Sequence, residues 1–518
     1  MKTSNIQNQL DEINSLIDQH DYTMAESKAN TLYIRIKDEN LNEKIKAQAL
    51  FNLAAFFTDI GEYSEKYELC KKGLEIFSNS AYNFDKLYTP DILDYNKANA
   101  LGSILKTIKT HSLTFQNIDE FIRLKNLYWK AHNYCISHHI SKPELKVNLA
   151  NSLKRQFRIS EALCHYDDVI SLNIDIPQAH INRAETLKML SEISDSYSIK
   201  MIYEIIHNYK IGASSHKVPP NWAIKYQSIA SHLEELHGIS YTNYSKDNEE
   251  NHSEFTKLSN YRKFLVDNKL VLSEHSLYCF CKSSAQDDMS ISTSTEGLVG
   301  EFIPQMEMAL NRIKSEYSLA RRLFYESQQQ TAQTIDKDDC YTELLNGEIL
   351  SMDIEKLRTT FRLCFGILDK IAHCICELYD VWLKENKVSF HNFFRLNHND
   401  RRELFESIKN PGLLALYSIA TDLNQHQNGE LSFYKDLRNA LEHSFLTIKD
   451  DQNECDPFKT YELSNNLIMI NKNHFEEYVS LMLQITRSAI FSFVFSVRHK
   501  GQKKSIKTEA TIVIGKKT

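Results

Sequence analysis

Glycine and proline are scarce in this chain, at 13 and 8 of 518 residues. Glycine loosens the backbone and proline removes a helical donor, so their scarcity disfavours a turn-rich β architecture and predicts helices throughout. Metal-ligand cysteine spacing is also missing. The 10 cysteines include Cys279-Phe280-Cys281 and Cys374-Ile375-Cys376 but no C-x-x-C pair and no histidine at zinc-finger spacing. They read as reduced, mostly buried thiols, and neither a metal site nor a cofactor is expected. An uninterrupted membrane span is absent too. The best candidate, Ser480 to Val497, is broken by Gln484, Thr486 and Arg487, and its unbroken part falls short of the ~20 residues a bilayer requires. It reads as a central core helix. Met1-Lys2-Thr3-Ser4-Asn5 leads into polar helical sequence with no signal-peptide core, so a cytoplasmic protein without membrane contact is expected. Excess positive charge is lacking as well: 61 basic against 68 acidic residues gives a net charge of −7, which excludes a general polyanion binder.

A chain of 518 residues exceeds a single core and implies roughly two to four domains. Residues 1–240 read as helical hairpins. Leu50, Leu53, Ala54, Phe57, Gly61 and Tyr63, followed by Leu69, Gly73 and Leu74, put small residues where two helices approach and a Gly-x-Tyr at the turn. The pattern recurs at Leu149, Ala150, Leu153, Ile159, Ala162, Tyr166, Val169 and Ile170, and again from Ala184 and Leu187, with Asn96 to Leu105 as a further first helix. This resembles the tetratricopeptide (TPR) repeat, whose stacked hairpins form a curved solenoid. Its concave wall suits a protein or peptide trigger, or simply cradles the rest of the chain. Residues 241–300 read as a linker around a short apolar island, Tyr261 to Cys281, with Asp287-Asp288 as solvated acids or a metal or regulatory site.

A second helical unit is expected over 301–518. Ile354, Leu357, Phe361, Cys364, Leu368, Ile371, Ile375 and Leu378 step by threes and fours and predict one long amphipathic helix. Arg362, Gly366, Asp369 and His373 stack opposite that seam. Asn410-Pro411-Gly412 breaks the chain before a helix over Leu413 to Leu423. Leu437, Leu441 and Phe445 predict the buried stripe of another helix. Leu467 to Ile470 and Glu509 to Gly515 alternate like strands and are expected to pair as a small β appendage. Arg498, Lys500, Lys503, Lys504, Lys507, Lys516 and Lys517 form a basic end, either a phosphate-contacting patch or a solvated tail.

Within this unit, Arg438-Asn439-Ala440-Leu441-Glu442-His443 combines a permanent guanidinium with an imidazole titrating near neutrality. Those two groups suffice for RNA cleavage without a metal, one moving the 2′-hydroxyl proton and the other holding the phosphate charge. The ordinary reading is a surface ion pair between Arg438 and Glu442 with a polar His443 beside it. Asn439, four before His443, could hydrogen-bond its ring.

The hexapeptide, with Arg362 to Ala372 (RLCFGILDKIA), Asn410 to Tyr417 (NPGLLALY) and Leu437 to Leu446 (LRNALEHSFL), resembles the HEPN superfamily and its R-x4-6-H signature. The nearest likeness is to bacterial members with TPR-like repeats ahead of the bundle. The fold implied is all-α, a TPR-like hairpin solenoid followed by a HEPN helical bundle. The resemblance implies a metal-independent endoribonuclease, a homodimer with two motifs in one composite cleft, acting as a toxin or antiviral defence effector. In that role His443 is the general acid/base, Arg438 the phosphate clamp, and Asn439 orients the histidine or touches the scissile phosphate. Asp369, Arg362 and Glu442 would line the cleft, and RNA is the substrate. The rival reading is a non-catalytic adaptor that dimerises and binds a protein partner.

Overall fold

A computed structural model describes residues 2–39, 41–194, 196–244, 252–291, 303–329, 348–383, 388–427, 429–449 and 468–515. The chain is all-α apart from two short strands, and it divides into compact units at 1–156 and 157–518.

The first unit holds α1 (Lys2–Asp18), α2 (Tyr22–Asp38), α3 (Glu43–Tyr63), α4 (Tyr67–Phe77), α5 (Pro90–Leu105), α6 (Ile118–Ser137) and α7 (Pro143–Arg155), each packed on the next. Leu50, Leu53, Ala54 and Phe57 face inward with no exposed surface. The small positions are where α3 meets α4: a Cβ on Gly73 would lie 2.6 Å from the Ala54 carbonyl oxygen. Gly61 and Tyr63 close α3 rather than form the turn, which follows them.

The second unit continues the hairpins as α8 (Ile159–Ile170), α9 (Pro177–Ser194), α10 (Ile199–Ser214) and α11 (Pro220–His237). The repeat read from Leu149 to Ile170 therefore straddles the division, and the hairpins up to residue 240 are shared between the units rather than forming one block. The unit goes on with α12 (Asn260–Asp267), α13 (Ile303–Ser327), α14 (Met352–Tyr379), α15 (Asn399–Ile408), α16 (Pro411–Asp422), α17 (Phe433–His443), β1 (Leu446–Lys449), β2 (Ile468–Asn471) and α18 (Lys472–Gly515).

Local chemistry explains the bounds. Ser351 caps α14 by accepting from the Ile354 amide at 3.3 Å, and Asn410 caps α16 through the Leu413 amide at 3.2 Å with Pro411 in the first turn. α18 is the pillar of the bundle: α8, α9, α13, α14 and α16 all pack on it. Lys472–Gly501 is long and apolar enough to cross a membrane, yet 83% of its most apolar window is buried inside the protein. It is a core helix, as its sequence suggested.

Where α16 crosses α18, a Cβ on Gly412 would sit 2.5 Å from the Ser492 carbonyl oxygen and 2.7 Å from the Ser496 nitrogen. Backbone cannot yield as a side chain does, so Gly412→Ala should lose about 1–3 kcal/mol of stability in urea unfolding. A variant as stable as its parent would contradict this close approach.

Three expectations change. Glu509 to Gly515 continues α18 instead of forming a strand, since no proline interrupts the helical ladder after Lys472. The β appendage is instead a parallel pair, Leu446 opposite Ile468 through Lys449 opposite Asn471. The basic end is partly internal: Arg498 is buried and paired with Glu274 at 2.6 Å, and the Lys500 ammonium bonds the Leu378 carbonyl, so neither contributes to a phosphate patch. Lys516 and Lys517 lie outside the described residues, as do the side chains of Lys503, Lys504 and Lys507.

The stretch read as a linker is, where described, packed structure. Leu265, Leu270, Val271, Leu272 and Leu277 are buried, and Arg487 of α18 donates to the Val271 carbonyl and the Ser276 hydroxyl, both at 2.8 Å. Asp287 is held by Arg321 instead of standing free in solvent. Burial would raise its carboxyl, but two bonds from Arg321 at 2.7 and 2.8 Å prevail and hold it down at about 2.

Candidate active site

Aromatic packing sets the position of α17. The Tyr434 ring lies 5.4 Å from Phe361 of α14 and 5.4 Å from Tyr478 of α18, centroid to centroid. Leu437 and Ala440 complete the buried stripe. Phe445, expected as its next step, is 72% exposed, because the helix ends at His443 and the backbone extends at Ser444 into β1.

Arg438 emerges beside this stripe toward α14. Its Nη2 lies 4.0 Å from Asp369 Oδ2, and its guanidinium carbon 5.9 Å from the centre of the Phe365 ring. Phe365 and Asp369 stand four apart and so share a helix face. The ion pair with Glu442 that a plain surface helix would form is not made, and Glu442 is exposed. At 4.0 Å the Asp369 contact is an ion pair without a hydrogen bond. Arg438 is 36% exposed, and no hydrogen bond among the described residues uses its donors.

Asp369 is anchored separately, its Oδ1 accepting from the Phe390 amide at 2.8 Å. Burial pushes its carboxyl above the ordinary value, opposed first by that amide and then by Arg438, His373 and Lys370. A carboxylate so placed neutralises the arginine only loosely. An incoming phosphate can therefore compete for the guanidinium.

His443 is the last residue of α17 and exposed. No hydrogen bond or ion pair joins it to another described residue, and the bond expected from Asn439 is not formed. Asn439 and Arg362 are half-buried and likewise make no bond to the motif within the described residues. The chain thus brings Arg438 and Asp369 together and leaves His443, Asn439, Arg362 and Glu442 apart. For Arg438 and His443, helix geometry accounts for this. Five residues advance about 7.5 Å along the axis and turn about 140° past a full turn, so Arg438 and His443 diverge on one helix.

The sequence reading missed one group of chemically competent residues. His275, Cys279 and Cys281 converge, with Cys281 Sγ 2.8 Å from Cys279 Sγ and 3.7 Å from His275 Nδ1. A search for C-x-x-C passes over them; the pattern H-x3-C-x-C in His275 to Cys281 would have found them. Cys279 also lines a cavity of about 470 Å³. Several charges on that wall pair with one another: Arg183 holds Asp167 at 2.6 Å and Glu204 at 2.7 Å, and Lys269 holds Asp168 at 2.7 Å.

No curated protein and no solved structure gives a significant match to the chain. Residues 298–500, which contain α13 to α17, most of α18 and the whole Arg438-to-His443 motif, match the family described as LA2681-like HEPN, so the C-terminal helical bundle is similar to that family.

Proposed function

We propose that this bundle is a metal-independent endoribonuclease, active as a homodimer. The observation that carries the proposal is an intact Arg438-x4-His443 inside a HEPN-matched region, with the guanidinium donors uncommitted and the imidazole exposed. His443 takes the proton of a ribose 2′-hydroxyl, whose oxygen attacks phosphorus in line. The phosphorus–O5′ bond breaks, and the departing oxygen receives a proton from an imidazolium. The products are a 2′,3′-cyclic phosphate and a 5′-hydroxyl end. Arg438 holds the nonbridging oxygens as their charge grows, and Asn439 touches the scissile phosphate or the ring of the opposite protomer.

The divergence of the two side chains on one helix supports the pairing that the resemblance implies, since a second copy can supply the missing half of the cleft. Phe445, two residues beyond His443 and 72% exposed, offers apolar surface for that copy to cover. The hairpin helices would sense a trigger or restrain the nuclease, which suits a cytoplasmic toxin or antiviral defence effector.

Sequencing of cellular RNA ends after induction tests this reading: new 5′-hydroxyl ends that appear with the wild type and not with His443→Ala support it. Arg438→Lys should lose most of the activity despite keeping the charge, because a point charge cannot replace a bidentate fork. Retained cleavage would reduce Arg438 to a structural partner of Asp369.

One observation favours the adaptor reading instead, namely the missing Asn439–His443 bond, which leaves the ring unoriented within one chain. That reading requires that purified wild type cleave no RNA under any condition.

A further inference from the structure

We propose that His275, Cys279 and Cys281 bind a zinc ion, independently of the RNA-cleaving site, with which they share no residue. One donor atom from each lies within 4.8 Å of the other two. Two thiols with an imidazole form a soft nitrogen and sulfur set, which suits zinc and disfavours magnesium or calcium.

The distances fit. With Zn–S near 2.3 Å and Zn–N near 2.0 Å, tetrahedral ligand atoms stand about 3.5–3.8 Å apart. Cys281 Sγ and His275 Nδ1 are already 3.7 Å apart. The two sulfurs, at 2.8 Å, are too close for neighbouring thiols and too far for a disulfide, whose bond is about 2.05 Å. Rotating Cys279, which is only half-buried, opens that edge by about 1 Å to the tetrahedral value. The Cys281 amide already points at Cys279 Sγ, 3.4 Å away.

The location gives the ion a purpose. Residues 268–291 contain only short 3₁₀ turns, yet they supply acceptors for the core helix: Glu274 takes Arg498 at 2.6 Å and Ser276 takes Arg487 at 2.8 Å. Both acceptors adjoin His275. An ion tying His275 to the two cysteines fixes the turn that presents them. Three protein ligands leave the fourth position for water, and Cys279 borders the cavity of about 470 Å³ from which water can enter.

The test uses the full chain, purified with reductant and without chelator, and measures zinc by elemental mass spectrometry. One zinc per chain is expected, lost in His275→Ala and Cys279→Ser and retained in Cys374→Ser. Should the first two variants not fold, the parent answers the question: cobalt exchanged into it should give thiolate-to-cobalt charge-transfer absorption. Alkylation should spare Cys279 and Cys281 until a chelator is added. A chain that keeps no zinc after incubation with the metal and dialysis overturns the proposal. So does a Cys279–Cys281 disulfide found in acid-trapped protein.

Discussion

His443→Ala should reduce RNA cleavage by about 10²–10⁴-fold, the usual contribution of a positioned acid/base. The side chain is exposed and makes no bond to another described residue, so its removal should leave stability within about 0.5 kcal/mol of the parent. That separation makes the variant informative: lost activity with an unchanged unfolding curve is chemistry, not misfolding. The assay is gel resolution of a defined RNA with purified protein in excess EDTA. Because the motif carries its own base and its own cation, cleavage by the parent should persist there. A zinc ion stripped from the His275 turn would show as a lowered melting temperature, so the two effects are read separately. Equal cleavage by parent and variant would remove the imidazole from the mechanism.

The largest expected loss of stability lies at Arg158, which has no exposed side-chain surface. Its Nε donates to Glu161 at 2.9 Å and its Nη1 to the Ser418 hydroxyl at 3.2 Å, while Nη1 also pairs with Asp422, itself 1% exposed. Burial alone would disfavour the charge, but the two carboxylates overcome it and hold the guanidinium ionised. Asp422→Ala leaves the buried guanidinium with Glu161 as its one carboxylate among the described residues and should cost about 3–5 kcal/mol. Changing both partners, Arg158→Met with Asp422→Leu, should cost less, because the one charge left behind, on Glu161, is 13% exposed and still accepts from the Ser488 hydroxyl. Urea unfolding of the three proteins decides it. A double variant less stable than the single one would mean that packing, not charge, governs the site.

Much of the bundle was legible because periodicity reports burial. The threes and fours from Ile354 to Leu378 became α14, and Asn410-Pro411-Gly412 became the start of α16, since capping and proline chemistry are local. The limit of a local signal shows at Phe445. Spacing continued the stripe, but the helix stops two residues earlier, where β1 draws the chain toward β2, and pairing between distant segments leaves no periodic trace. Glu509 to Gly515 failed for the opposite reason, alternation being no barrier to a helix that already has momentum from α18. At the site, the hexapeptide was evident, whereas the Arg438–Asp369 pairing depends on how α17 docks on α14, which Tyr434 decides. The sequence puts Asp369 in a polar stripe and at the cleft wall without naming its partner. Arg158, Asp287 and Arg498 were invisible as structural ions, because sequence alone does not tell a buried charge from a wet one.

The pillar of the bundle is made last among its neighbours. A ribosome delivers α8, α9, α13, α14 and α16 before it delivers Lys472–Gly501, so each of them emerges with its inner face still uncovered. Partners for Arg487 and Arg498 wait in the same way, their acceptors already synthesised some two hundred residues earlier. Closure of the bundle is therefore a single late event in synthesis, and a polypeptide cut short before Lys472 has no means of hiding those faces.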